Sequence, residues 1–351
     1  MKLRTIKRFI LGLTALVSGE SAAKIIDFPI NDWYQQSLQL AYDKAKDGDT
    51  IRFVRSNSNI FHGELTANQN KSIIIEASNS FGWSHSQDIE VSDGTLTIQN
   101  FPVLYGNNNE SGKSGVNVTS KGSANLFNCH FGNYDSAISI SSSGVIDIEE
   151  CYFLPGDYSG RRSAINLEQL VDGGSLKVSR NTFNGVDSNV VIGREQDAPR
   201  YSLLVNNNMF EEVDSPFEFD YDLTSTTGLV ANNTVTDYKT AVKNPTRAGK
   251  VRVEANNFFN FPEGEFSVLD SLSESVFGNN YSFNPRYEDG EGNLSADSEL
   301  IDRGVFIEGL AYNGNAPDIS RIESPYSRGT TPEPTTITLL GLAGLLARRR
   351  R

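Results

Sequence analysis

The chain is poor in the residues from which most catalytic and metal-binding centres are built: two cysteines, three histidines, two tryptophans and two methionines among 351 residues. Two cysteines, Cys129 and Cys151, exclude a disulfide framework, and with only His62, His85 and His130 beside them a structural zinc site is excluded too. The histidines stand in no recognisable Ser-His-Asp context. Segments of helical period are also scarce; residues 32–45 form the one convincing amphipathic stretch of the chain body, starting at an Asp cap and ending before Asp47-Gly48-Asp49.

Basic charge is scarce in the body and concentrated at the ends. Setting aside the +3 of residues 1–23 and the +4 of the terminal arginines, the formal net charge of −13 becomes about −20. Such a body repels nucleic acid and anionic lipid, so neither is expected as a partner. Calcium is a plausible counter-ion.

The two ends read as address labels. Lys2, Arg4, Lys7 and Arg8 precede an apolar stretch from Phe9 to Val17 and the small residues Ser21-Ala22-Ala23, the pattern of a secretory signal peptide over residues 1–23. This implies signal peptidase and the general secretion machinery as partners. At the other end Pro332-Glu333-Pro334 precedes thirteen uncharged residues, Thr335 to Ala347, and then Arg348, Arg349, Arg350 and Arg351. As a helix thirteen residues rise only ~20 Å, short for a ~30 Å hydrocarbon core. The arginines stay on the cytoplasmic side, so the body lies across the membrane. Residues 332–351 resemble the PEP-CTERM sorting signal of Gram-negative bacteria. The resemblance implies transient membrane insertion of a short C-terminal hydrophobic helix, processing by an exosortase, and delivery to the cell surface or extracellular matrix.

Between the ends lies a repeat. An aliphatic residue is followed three later by a small polar one and two after that by an aromatic or aliphatic one: Leu96/Gln99/Phe101, Leu126/Cys129/Phe131, Ile148/Cys151/Phe153, Val178/Asn181/Phe183, Val205/Asn208/Phe210, Val230/Asn233/Val235, Val253/Asn256/Phe258 and Val276/Asn279/Tyr281. Successive signatures are 22 to 30 residues apart, with short alternating runs such as Ala137-Ile138-Ser139-Ile140 between them. These are strands separated by turns. Coils of this length with three short parallel strands fit an all-β chain, a single right-handed parallel β-helix of about eight or more coils. Over residues 24–323 the chain resembles the pectate-lyase-like superfamily and the bacterial right-handed β-helix repeat proteins, with a capping helix at about 32–45 and a linker at 324–331. Stacked asparagines would form a ladder inside one corner. Cys129 and Cys151 take the ladder position in consecutive coils, where they are either bridged or two small buried thiols.

The motifs of the acid glycosidases of this fold, paired aspartates with Gly-His-Gly and Arg-x-Lys, are absent. The best constellation is the strand around Ser215-Pro216-Phe217-Glu218-Phe219-Asp220-Tyr221-Asp222, whose alternation turns Glu218, Asp220 and Asp222 outward. Aligned coils place Asn166 and Glu168 two coils below and Lys243 one coil above. Some calcium-dependent lyases of this superfamily combine such acids with Lys and Arg for proton abstraction, so the resemblance implies Glu168, Glu218, Asp220 and Asp222 as calcium ligands and Lys243 and Arg194 as catalytic groups. Against this stands an acidic solvated face with a simple Glu218–Lys243 ion pair. Trp33, Tyr34, Trp83, Tyr134 and Tyr158 are candidate sugar-stacking residues. Three functions remain: a structural or interaction protein of the cell surface, a binding protein for extracellular polysaccharide, and a polysaccharide lyase or hydrolase.

Overall fold

A computed structural model describes residues 23–29, 38–54, 60–62, 64–77, 82–85, 89–101, 103–106, 114–132, 134, 136–154, 163–185, 188–195, 201–220, 222–223, 226–259, 278–289, 292–308 and 311–326. The signal-peptide core, residues 32–37 of the expected helix, the sorting motif and the short C-terminal hydrophobic helix lie outside the described residues. Among the described residues, no helix is long and apolar enough to cross a membrane.

Every strand pairing among the named strands is parallel, and the strands fall into three sheets of ten, nine and eight, here A, B and C. The chain visits them in the order A, B, C and starts again, for eight complete triplets from Thr50–Val54 to Val242–Lys243, about seven full turns from first to last. This is a parallel β-solenoid. It follows from the strand lengths: runs of two to eight residues bounded by Gly, Asn and Ser leave no room for helices or hairpins. Alternation then buries one face of each strand. Sheet A contributes Ile146/Ile148, Leu176/Val178 and Leu203/Val205; sheet C contributes Ile138/Ile140, Ile165/Leu167 and Phe217/Phe219. On sheet B, Phe131, Phe153, Phe183 and Phe210 stack with ring centroids 5.1, 4.6 and 4.6 Å apart and planes within 7° of parallel.

Each corner carries its own polar column. Between sheets C and A, Ser72, Thr95, Ser123, Ser175, Ser202 and Thr227 share one register. At the start of the sheet C strands, Ser114, Ser136, Ser163, Ser188 and Ser215 align, and Ser136 and Ser215 each donate to the carbonyl two residues on. Between A and B, at the eight corners from Asn100 onward, the chain turns through a left-handed residue: Asn100, Asn128, Glu150, Arg180, Asn207, Asn232, Ala255 and Asn279 have φ between 51° and 61°. Asparagine tolerates this conformation better than other non-glycine residues, which is why it recurs there.

The residue after each left-handed one forms the ladder. Asn208 uses its whole amide: Oδ1 accepts from Asn181 N–H (2.9 Å) and Asn181 Nδ2 (3.0 Å), while Nδ2 donates to Val178 O (3.0 Å) and Asn233 Oδ1 (2.9 Å). Asn181, Asn233 and Asn256 repeat the pattern, and all are fully buried. Two registers differ from the sequence reading. The ladder ends at Asn280, which receives Asn256 N–H and Nδ2, because Asn279 takes the left-handed turn. Strand pairing sets Ile98, not Leu96, beside Leu126, which puts Phe101 rather than Gln99 in the ladder column. Cys129 and Cys151 occupy that column as free, buried thiols, their Sγ atoms 3.5 Å from Ile98 O and Leu126 O. Burial and the neighbouring Cys129 raise the Cys151 thiol well above its ordinary pKa.

The helix Leu38–Lys44 buries Leu38 and Tyr42. Its Gln39 amide pairs with the backbone of Thr66 in the terminal strand of sheet C, accepting Thr66 N–H at 2.7 Å and donating to Thr66 O at 3.1 Å, as a neighbouring strand would. Lys71 Nζ closes the helix by donating to Tyr42 O (2.5 Å) and Ala45 O (3.0 Å).

At the other end, the described residues between 278 and 326 fold back over the A–B corner as a strap with a small core of Leu294, Leu300, Ile301 and Ile319 against Ala255. Second-tier asparagines grip its main chain. Asn257 and Asn232 each exchange two hydrogen bonds with the backbone, of Phe283 and of Val305, and Asn207 Nδ2 donates to Asp318 O and Ser320 O. The folded body runs past residue 323: Ser324 is buried with its N–H on Asp318 Oδ2, and Tyr326 OH donates to Glu288, so residues 324–326 belong to the strap rather than to a linker.

Asn208→Ala orphans Asn181 N–H, Val178 O and one lone pair of Asn233, buried groups that cost about 1–3 kcal/mol each. A stability loss of ~3 kcal/mol or more is expected in urea unfolding. Alkylation of the unfolded, unreduced protein is expected to add two adducts, one on each cysteine; a mass without adducts would show a bridge.

Candidate functional site

The outer face of sheet C carries the residues singled out above. Register pairs Asn166 with Val191, Val191 with Glu218 and Glu218 with Lys243, so the expected vertical order holds. Lys243 Nζ lies 3.5 Å from Glu218 Oε2, and the cross-rung ion pair forms. Arg247, which no motif singles out, approaches Asp222 Oδ1 at 3.9 Å and donates through Nη1 to Asp220 O. Asp222 remains highly exposed, 83% for the side chain.

Glu168 does not join this group. Ser139 Oγ, one coil further down, donates to Glu168 Oε1 at 2.7 Å, and Val191 and Gly193 occupy the coil between Glu168 and the Glu218–Asp220 strand. Two coil spacings of ~4.8 Å separate the strands. Gly193 cannot be replaced cheaply, since a Cβ there would lie 2.5 Å from the carbonyl oxygens of Leu167 and Glu168. Arg194 sits on the strand Ser188–Glu195 opposite Gln169, with its side chain outside the described residues. Among the described residues no three of His, Cys, Asp and Glu gather closely enough to hold a metal ion. As these side chains stand they do not form a calcium cage: Glu218 is answered by Lys243, Asp222 faces Arg247, and Glu168 is held two coils away. Lys243 is committed to the ion pair, not positioned over an acidic metal site.

A second concave site lies where the strap meets the A–B corner. A cavity of about 420 Å³ is lined by Glu150, Arg180 and Asn207 from the solenoid and by Arg321, Ile322 and Glu323 from the strap. Arg321 is 8% exposed; its Nε donates to Arg180 O, and its guanidinium lies 4.5 Å from the centroid of Tyr152, whose ring packs at a tilt of 50° against His130. Arg180 pairs with Glu149 and lies 3.6 Å from Glu150. Burial and the nearby Arg321 lower its pKa. Contacts spanning 141 residues, as between Arg180 and Arg321, leave no local signature, so no motif could have revealed this cavity.

Behind it three carboxylates hold the strap loop together by accepting backbone N–H groups. Asp302 receives Asn315 and Ala316, Asp318 receives Asp302 and Ser324, and Glu323 receives Asn313 and Asp318. Burial, then the neighbouring acids, raise Asp318 to about 6 and Glu323 to about 7.

No protein-family model matches the chain, and no curated protein is significantly similar to it. Among solved structures the chain is similar to the crystal structure of pectate lyase Pel9A, with a TM-score of 0.47 and 16% identity over 87% of this chain and 98% of that one.

Because both folded-state pKa values lie above the ordinary carboxylate range, Asp318 and Glu323 favour the folded strap at acidic pH, and that contribution is lost as the pH rises through about 6 and 7. Limited proteolysis of the strap, normalised to protease activity, is expected to accelerate between pH 5 and 8 ~severalfold in the wild type and less in Glu323→Gln.

Proposed function

We propose that the chain is an exported surface or matrix protein whose solenoid serves as a stiff, non-lytic body that binds extracellular polysaccharide. Its N-terminal signal directs secretion, and the PEP-CTERM-like tail inserts transiently until an exosortase removes it. The helix Leu38–Lys44 caps a right-handed coil stack, protecting the open end of sheet C through the Gln39–Thr66 pairing. The acidic body suits a solvated matrix and disfavours nucleic acid and anionic membranes.

One observation carries the non-lytic reading: the Glu218–Lys243 ion pair. Proton abstraction next to a uronate needs a base held near its substrate and a cation or metal that neutralises the carboxylate. Here the acid and the base of the outer face neutralise each other, and Glu168 is bound elsewhere. The same face remains suitable for binding through the half-buried Asn117 and Asn166, which follow one another in register on either side of the buried Ser139.

Unsaturated-product assays on a broad uronate panel with added calcium are expected to give no turnover for wild type, Glu218→Gln or Lys243→Ala. Turnover lost in both variants would establish the lyase alternative. Intact-mass analysis of surface-located protein is expected to lack Arg348 to Arg351; their presence would overturn processing.

A further inference from the structure

The cavity between strap and solenoid is distinct from the outer face of sheet C, and its lining has a character of its own. Arg180 and Arg321 offer planar, multidentate donors; Glu150 and Glu323 offer carboxylate acceptors; Asn207 adds a side-chain amide. The formal charges of the four ionisable groups cancel once Glu323 is ionised, above about pH 7. A single-sign ligand therefore gains little from this lining. A ligand presenting many hydroxyls, each donor and acceptor at once, matches it group for group.

An exposed aromatic pair follows one of the lining residues in the chain. Ala311 lines it, and the next residue, Tyr312, is 42% exposed and packs edge-on at 5.2 Å against Phe306, which is 63% exposed. Two large rings packed together and left in solvent are costly unless they meet an apolar face. The C–H face of a sugar ring is such a surface, while its hydroxyls require the planar polar groups beyond. Arg321 is fixed for this role by its stacking on Tyr152 and its bond to Arg180 O, so little side-chain freedom is lost on binding. The volume of about 420 Å³ suits one or two sugar units.

We propose that this cavity binds an uncharged sugar unit of a polysaccharide, with Phe306 and Tyr312 stacking on the ring and Arg180, Arg321, Glu150 and Asn207 holding its hydroxyls. The proposal rests on the polysaccharide-binding reading above and places that binding on the strap flank instead of on sheet C. The strap thus has a second role beyond covering the corner: it supplies half of the site.

The test is isothermal titration of the full chain with neutral oligosaccharides (gluco-, galacto- and manno-series) and with uronate oligosaccharides. At least one neutral series is expected to bind, with affinity unchanged by 0.5 M NaCl. Phe306→Ala and Tyr312→Ala, both at exposed positions, are expected to weaken it roughly tenfold or more, as is Arg180→Gln, with each variant's thermal midpoint measured to separate lost binding from a lost strap. Binding that survives both aromatic substitutions, or that is restricted to uronates and abolished by salt, overturns the proposal. Neutral binding lost in Glu218→Gln but retained in Tyr312→Ala would move the sugar to sheet C, sinking this inference while leaving the proposed function standing. No binding by any series overturns the site and the binding role together, while export would stand or fall on the tail's mass alone.

Discussion

A parallel stack of coils answers the backbone polar groups of every strand with the strands above and below, but at a corner the chain must turn and that pairing lapses. Buried N–H and C=O groups left there would each cost more than a net hydrogen bond returns. Through the coils of Asn181, Asn208, Asn233 and Asn256 the A–B corner of this protein meets the constraint with one side chain per coil. An asparagine amide has the two donors and two acceptor positions needed to serve a carbonyl, an N–H and the next amide at once; Asn208, Asn233 and Asn256 use all of them, and Asn181, above a cysteine coil, accepts only Cys151 N–H. Such a ladder works only if every coil holds the same register. The preceding left-handed residue sets that register by turning the chain at the same place in each coil from Asn100 to Asn279.

Much else follows from this alignment. Fixed at the corner, the strands that follow must stack in phase, which brings Phe153, Phe183 and Phe210 into nearly parallel contact and repeats the serine column of sheet C. Where the ladder residues are Cys129 and Cys151, the thiols sit by the same carbonyls with weaker bonds. The asparagines flanking the ladder face outward and grip the strap. One corner therefore organises the core on its inside and a binding cavity on its outside.

The two concave or charged regions illustrate opposite outcomes of stacking. On sheet C the register brings unlike charges one coil apart into contact, and Glu218 and Lys243 neutralise each other. On the strap flank, chain segments far apart in sequence bring two guanidiniums and several carboxylates around a cavity, some of them with shifted proton affinities. Perturbed groups at a concave site are a better sign of binding chemistry than a tidy surface ion pair.

The sequence by itself determined the period, the parallel three-strand coils, the identity of the ladder corner, and the Glu218–Lys243 neighbourhood, because stacking is a nearest-neighbour problem that a repeat records locally. It also misplaced two ladder members for a local reason: Gln99 and Asn279 satisfy the spacing as well as Phe101 and Asn280 do, and only strand pairing distinguishes them. Tertiary structure alone decided where the strap docks and the cavity it closes. Those depend on contacts such as Arg321 to Arg180 and Asn207 to Ser320, more than a hundred residues apart, which no local periodicity encodes.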